Sequence, residues 1–600
     1  MTCIRTAARA RAPELVCAAV GTLLRAVAAW QQWHANPVVR APRLDALYYI
    51  EWGREIAAGH VLSAGPVGAG EPYLLNPLYA WLLGALALLP AGLHVATLVA
   101  QALLGGATAW ITASAARRFA GGSRGAAWCA GLATAACVPL VHLATHVSVA
   151  TLAAFLVAGA LHALAPVERA SHAARRGAVA GLWLGLGALA RPVALLALPF
   201  AAWLLLRRDG RRAAVALCAA FACCSAVSFV RNVAVSGEPV VYTAADGQNL
   251  HLGVNPLARA SGSMLTDAFR FAPTAMHEDA RLRVALELGH EPSRREVSAW
   301  YRADALREVR RAPGAALAFY ARKLRWFVSA YEPPSSADLT YDAYHVPWLP
   351  WCGVPWCVLA ACGLAGAWVC RRDRELLLAA LGFVAAHALA CTLSFPLSHY
   401  RAPAAPALAV LAACGIARVR AADLRARVVC AGVALGVLVA ALLPPQPAES
   451  GAVRHVNDAI AALNRGDAAA AARDADTSLR ELPAWSVPRL VRGQARFLLR
   501  DLVGARDDAA AVVQAQPWNV VARRLVAVVD VNLGHAEAAV ADLDAFTARV
   551  PWSVAARGAR GELRAYAGHA DAARDDLEWA CSRGYDADPD ALRRAGLAPR

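Results

Sequence analysis

The sequence predicts an all-α protein: a polytopic transmembrane helical bundle followed by a soluble α-solenoid. Three observations predict it. Of 600 residues, 58% are hydrophobic and 17% charged, more apolar surface than a soluble chain of this length can bury. The long apolar runs lie almost entirely between residues 14 and 443. Beyond residue 449 they stop, and small and proline residues recur at a fixed period.

Runs long enough for a membrane helix lie near 14–31, 74–90, 93–116, 125–142, 147–165, 178–206, 213–230, 348–370, 376–396, 401–417 and 428–444. With Arg191-Pro192 breaking 178–206 into two segments, they amount to about 11–13 spans. The first run follows Arg5, Arg9 and Arg11 as a signal sequence would; we read it as a retained span.

The net charge of +16 is gathered in short loops: Arg117, Arg118 and Arg124; Arg169, Arg175 and Arg176; Arg207, Arg208, Arg211 and Arg212; Arg371, Arg372 and Arg374; Arg418, Arg420, Arg425 and Arg427. That distribution marks loops on the inner side of a membrane. With no aromatic-interleaved basic stripe, it excludes a nucleic-acid partner. If these loops are inside, residues 231–346 and the tail are outside. One parity conflict follows: 32–72 outside and 117–124 inside require an odd number of crossings in 73–116, where two apolar runs are found.

The cysteines sit mostly within apolar runs and show no CxxC or His/Cys ligand spacing. The sequence therefore indicates neither a zinc site nor a disulfide framework. No metal ligands are assigned and divalent-cation dependence is left open.

Two external loops are long, 32–73 and 231–346. In the first, DALYYIEWGREIAAGH (45–60) reads as an amphipathic helix at the membrane surface. Asp45, Tyr49, Trp52 and Ile56 share one face and Glu51, Arg54 and Glu55 point away. The second, with helices predicted near 276–289 and 293–312, exceeds what a passive connector needs.

In the tail, Pro483, Pro517 and Pro551 are spaced by 34, each followed within two residues by Trp485, Trp518 or Trp552. Ala471, Ala505, Ala539 and Ala573 keep the same period, and Gly466, Gly534 and Gly568 mark turns, with Arg500 standing in the second unit. Thirty-four residues is the tetratricopeptide period. The expected domains are 1–444 in the membrane and 449–600 as a repeat array, which recruits a protein or glycan acceptor or packs as a scaffold.

Asp45 is the leading candidate for chemistry. A lone aspartate at a helix start is also a common N-cap, so position alone does not decide. Glu71, in Glu71-Pro72-Tyr73, supplies a second carboxylate where the chain re-enters the membrane. Such groups suit proton abstraction from a hydroxyl. Arg401, Arg231 and Arg191 are candidates for binding a phosphate; the first two equally suit interfacial anchors, whereas Arg191 lies in an apolar stretch where a charge is costly. Tyr49, Asn249 and His399 are candidates for sugar or acceptor contacts, with turn and interfacial roles as alternatives for the last two.

These patches resemble a known family. The first-loop helix followed by EPYLLNPLYAWLLGALALL, then RNVAVSGEPVVYTAADGQNLHLGVNP (231–256), YEPPSSAD (331–338) and FPLSHYRAPAAPAL (395–408), look like bacterial GT-C glycosyltransferases, in particular the family 39, protein O-mannosyltransferase-like group. The resemblance spans residues 14–440 in patches. It implies a multi-pass enzyme of the bacterial inner membrane that moves a sugar from a polyprenyl-phosphate donor to an acceptor on the external, periplasmic face, with the residue matching Asp45 as base. Many members carry an Asp-Glu pair there; here Ala46 follows Asp45, so a second acid would come from Glu71 or Glu51. The competing reading is a non-enzymatic membrane scaffold whose repeats assemble an envelope complex.

Overall fold

The computed structural model describes residues 11–598 except 43, 68–69, 168–171, 262–272, 334–336, 420–421 and 444–450. Arg5, Arg9, Arg169, Arg420 and the middle of YEPPSSAD therefore lie outside the described residues. Among the described residues the chain is helical, with no strand beyond one isolated bridge, Cys137 to Val354. It divides into two compact units, residues 1–246 with 313–445, and 247–312 with 446–600. The middle of the second predicted external loop thus belongs with the tail.

In the first unit, six helices are long and apolar enough to cross a bilayer: α1 (Ala12–Ala35), α4 (Leu93–Phe119), α10 (Arg211–Ser236), α17 (Arg374–Leu393), α18 (Ser398–Val419) and α19 (Leu424–Leu442). Shorter apolar helices are α3 (Pro77–Ala87), α7 (Val149–Leu164) and α16 (Trp356–Val369). With 11 residues, α3 rises about 16 Å, roughly half the hydrocarbon thickness. The stretch 73–116 then holds one helix long enough to cross, α4, where the sequence shows two apolar runs. The predicted break at Arg191-Pro192 separates α8 (Ala173–Ala190) from α9 (Val193–Arg208).

Small residues let these helices approach. Gly177, Gly181 and Gly185 form one ridge of α8, and a Cβ on the first two would lie 2.0 and 2.2 Å from the Ala213 and Leu217 carbonyl oxygens of α10. That is the small-xxx-small contact expected where lipid removes the hydrophobic drive between helices. By contrast, α19 is almost wholly exposed, with Leu424, Val428, Leu435 and Val439 facing outward, as a lipid-facing helix would be. All described cysteines are free.

The first loop folds as predicted into α2 (Asp45–Ala57). Its apolar face is spent on protein rather than lipid, a correction to the surface-lying helix the sequence suggested. Trp52 is fully buried and donates to the Ser63 carbonyl at 2.8 Å; Tyr49 stacks on Trp52 and meets Tyr79 of α3 edge-on. Gly53 and Gly84 allow the close approach, with Leu83 and Ile56 filling the opposing surfaces.

The second unit contains α12 (Pro273–Leu288), α13 (Arg294–Arg311) and a series of helix pairs. The second helix of each pair begins at Ala468, Leu502, Ala536 and Ala570, and the first helices of the later pairs at Ser486, Val520 and Val554; both series step by 34. The predicted turn residues Gly466, Arg500, Gly534 and Gly568 all adopt left-handed backbone, at φ of 81°, 64°, 86° and 91°. Buried Asp508 accepts from Arg492 and Arg496, and buried Asp576, two periods on, from Arg560 and Arg564. Helix α12 packs along the edge that carries the Pro-Trp loops: Leu282 and Ala285 join Val520, Phe546, Val550 and Ala556 in one apolar cluster. Arg281 lies over Trp552 and Arg283 over Trp518, so two of the periodic tryptophans receive cations from the loop.

Candidate functional site

The start of α2 is decided by Leu44, which takes φ 53° at the N-cap, while Asp45 occupies the first helical position and makes no capping bond. The capping alternative for Asp45 is therefore removed. A leucine held in this region is strained, and such strain persists only where the surroundings enforce it. The Asp45 carboxylate has no hydrogen-bond partner among the described residues, and its side chain is exposed. It nevertheless lies deep among protein atoms: desolvation raises its pKa above the ordinary carboxylate value, and the Arg191 guanidinium opposes that rise.

Arg191 reaches the same place from the break between α8 and α9. Its main-chain N–H bonds the Gly187 carbonyl at 2.7 Å, ending α8, and Pro192 bars the helix from continuing. The guanidinium carbon stands 4.2 Å from the centre of the Tyr400 ring, a cation–π contact, and Nε is buried without a partner. His399 stacks beside Tyr400, with centroids 4.5 Å apart. Tyr49 donates weakly to the Asn76 carbonyl at 3.4 Å, and its hydroxyl pKa is pushed up by burial, then by Asp45. The Asn76 side-chain oxygen is buried and unpartnered. The first unit thus gathers Asp45, Tyr49, Arg191, His399 and Tyr400 from three separate stretches of chain. A carboxylate able to take a proton faces a guanidinium able to meet an anion.

The other predicted site residues have structural work. Arg401 is completely buried; it donates to the carbonyls of Trp326, Phe327, Ser329 and Tyr331 and pairs with Glu332 at 2.9 Å. It closes the C-terminal end of α14 (Pro313–Val328), which corrects the expectation that it binds a phosphate. Arg231 is likewise committed to the carbonyls of Leu62 and Glu71 and lies over Tyr73, bracing the first loop against α10. Glu71 meets Arg231 through its main chain. Asn249 falls in α11 (Asp246–Leu252), within the part of the sequence assigned to the second unit.

One cluster escaped the sequence reading. His142 and His146 bring Nε2 atoms to 2.6 and 2.5 Å from Asp342 Oδ2. Their i,i+4 spacing was the available signal; their third member lies 200 residues away and could not be paired from sequence.

Against known proteins, the profile of glycosyltransferase family 87 matches residues 73–244, less than a third of the chain, where the sequence patches pointed to family 39. No curated protein matches. Among solved structures, the chain is similar to the oligosaccharyltransferase of Archaeoglobus fulgidus in the apo form, at 15% identity and a TM-score of 0.36, over 73% of this chain and 55% of that one. It is also similar to ArnT from Cupriavidus metallidurans bound to undecaprenyl phosphate, at 18% identity and a TM-score of 0.29, over 66% of this chain and 78% of that one. The chain spans about half the length of the oligosaccharyltransferase, and scores this low say nothing of mechanism.

Proposed function

We propose that this protein is a membrane glycosyltransferase that moves a sugar from a polyprenyl-phosphate donor to an acceptor hydroxyl, with Asp45 as general base. The observation that carries the reading is the Asp45 carboxylate itself: exposed at its surface, free of hydrogen bonds among the described residues, set among protein atoms that raise its pKa, and opposed by Arg191. The family 87 match over 73–244 supports the same class.

In the proposed reaction the acceptor oxygen attacks the anomeric carbon, its proton passes to Asp45, and the bond from that carbon to the phosphate oxygen breaks. Polyprenyl phosphate leaves with the electron pair. Arg191 neutralises the charge growing on the departing phosphate, where a preorganised cation acts most strongly away from bulk water. Tyr49, His399 and Tyr400 border the reacting groups and supply hydroxyl and ring contacts to the sugar.

The reaction is assigned to the periplasmic face of a bacterial inner membrane, and the helix pairs of 451–581 to tetratricopeptide repeats that orient an acceptor. The scaffold alternative draws on one observation: α12 already occupies an edge of the array, as a purely structural assembly would have it. Purified full-length protein in lipid should transfer labelled sugar from a synthetic polyprenyl-phosphate donor pool to an added envelope acceptor fraction. Absence of transfer across all donors would favour the scaffold. A phosphatase fused after residue 600 should be active in cells; inactivity would reverse the assigned orientation.

A further inference from the structure

We propose that His142, His146 and Asp342 bind one divalent transition-metal ion of the zinc class, which pins the end of the large loop to α6 and the turn after it. The three candidate ligand atoms lie within 4.8 Å of one another and all three residues are buried. Two imidazole nitrogens converge on a single carboxylate oxygen, the donor set that favours zinc over the oxygen-seeking magnesium and calcium.

The geometry asks both Nε2–Oδ2 contacts to open and the two Nε2 atoms, which lie within 4.8 Å of each other, to settle about 3.3 Å apart. Bonds of about 2.0–2.1 Å at a tetrahedral centre separate neighbouring ligand atoms by roughly 3.3 Å. The present contacts of 2.6 and 2.5 Å would therefore open by less than an ångström each, within the reach of small side-chain rotations. His142 Nδ1 is buried without a partner, so no outer bond holds the ring's proton on Nε2. The proton can sit on Nδ1 and leave the Nε2 lone pair pointing inward.

The surroundings hold the third ligand as metal sites do. Asn36 Nδ2 donates to Asp342 Oδ1 at 2.6 Å and to Gln32 Oε1 at 2.8 Å, and Gln32 Nε2 donates to the Asp342 carbonyl at 3.0 Å. Both amides belong to the C-terminal end of α1, the histidines to α6 (Val138–Leu143) and the turn after it, and Asp342 to α15 (Leu339–His345). Ala28, Val141, Val346 and Leu349 pack beside them. Three ligands leave a fourth position for water. An ion here ties together two segments far apart in sequence, and a buried set of this kind stabilises by holding them.

The test uses full-length protein carrying a tag without histidines, loaded with zinc in detergent and desalted. Elemental analysis should find about one zinc per chain, lost in His146→Ala and in Asp342→Asn but kept in His251→Ala. A chelator should lower the melting temperature of the wild type by several degrees and leave the two variants unmoved. Should the variants fail to fold, cobalt loading of the wild type decides: a visible ligand-field band is expected, and its absence overturns the proposal. So does a wild type without zinc, or zinc retained in both variants. The readout is metal content, which stands apart from sugar transfer and from the role given to Asp45.

Discussion

The Arg191 guanidinium lies over the Tyr400 ring at 4.2 Å, joining the break between α8 and α9 to the first turn of α18. The contact fixes a cation opposite Asp45 without an ion pair between them, so the carboxylate keeps its proton-accepting capacity. Replacing Arg191 with Gln removes the one charge that lowers the Asp45 pKa while desolvation continues to raise it. The carboxylate then ionises at higher pH, and the acidic limb of kcat/KM should move to higher pH, together with a rise in KM for donor. Arg191→Lys, which keeps charge and loses the flat stacking surface, should fall between. A pH profile identical to wild type would detach Arg191 from Asp45.

Arg401 answers differently. Its partners are four carbonyls and Glu332, so Arg401→Gln leaves buried carbonyls unmet and Glu332 without its cation. A loss of about 3–5 kcal/mol is expected, read as a lower melting temperature and poor yield. Surviving protein should show near-normal donor KM. A large KM change in well-folded protein would restore the phosphate-binding role that its burial denies it.

Arg500 holds left-handed backbone at φ 64°, where the equivalent turns of the other units use Gly466, Gly534 and Gly568. A side chain there costs about 1–2 kcal/mol, partly offset by the greater unfolded freedom of glycine. Arg500→Gly should therefore stabilise the second unit by up to about 1 kcal/mol, measured by hydrogen exchange of α22 (Ser486–Leu498) and α23 (Leu502–Ala515). Destabilisation would show that the Arg500 side chain contributes contacts outweighing the strain.

Leu282 is fully buried between α12 and the array. Truncation to Ala should cost about 2–5 kcal/mol and expose 247–312 to limited proteolysis. Unchanged resistance would mean that the loop holds to the array through its charged contacts, such as Glu278 with Ser553 at 2.8 Å.

These expectations separate what was legible in the sequence from what was not. The repeats could be counted because their period is local: Gly466 and Arg500 announced the same turn before any coordinates. The break at Arg191-Pro192 was legible because proline removes a helical hydrogen bond wherever it falls. Arg401 was misread because its chemistry is ambiguous. A guanidinium suits phosphate and bare carbonyls alike, and only the fold reveals that α14 ends beside it. The roles of Asp342 and of α12 depend on contacts across 200 residues or more, for which no periodic or motif signal exists. The shortness of α3 was hidden by the apolar run that continues past its end.

The most direct measurement is sugar transfer by Asp45→Asn, assayed in lipid beside wild type at matched amounts of folded protein. The substitution keeps the size of the side chain and removes only its capacity to accept a proton. We expect normal insertion and melting behaviour with transfer reduced by at least two to four orders of magnitude, the scale of general-base catalysis. An Asp45→Asn enzyme that turns over like wild type would contradict the assignment of that carboxylate as the base.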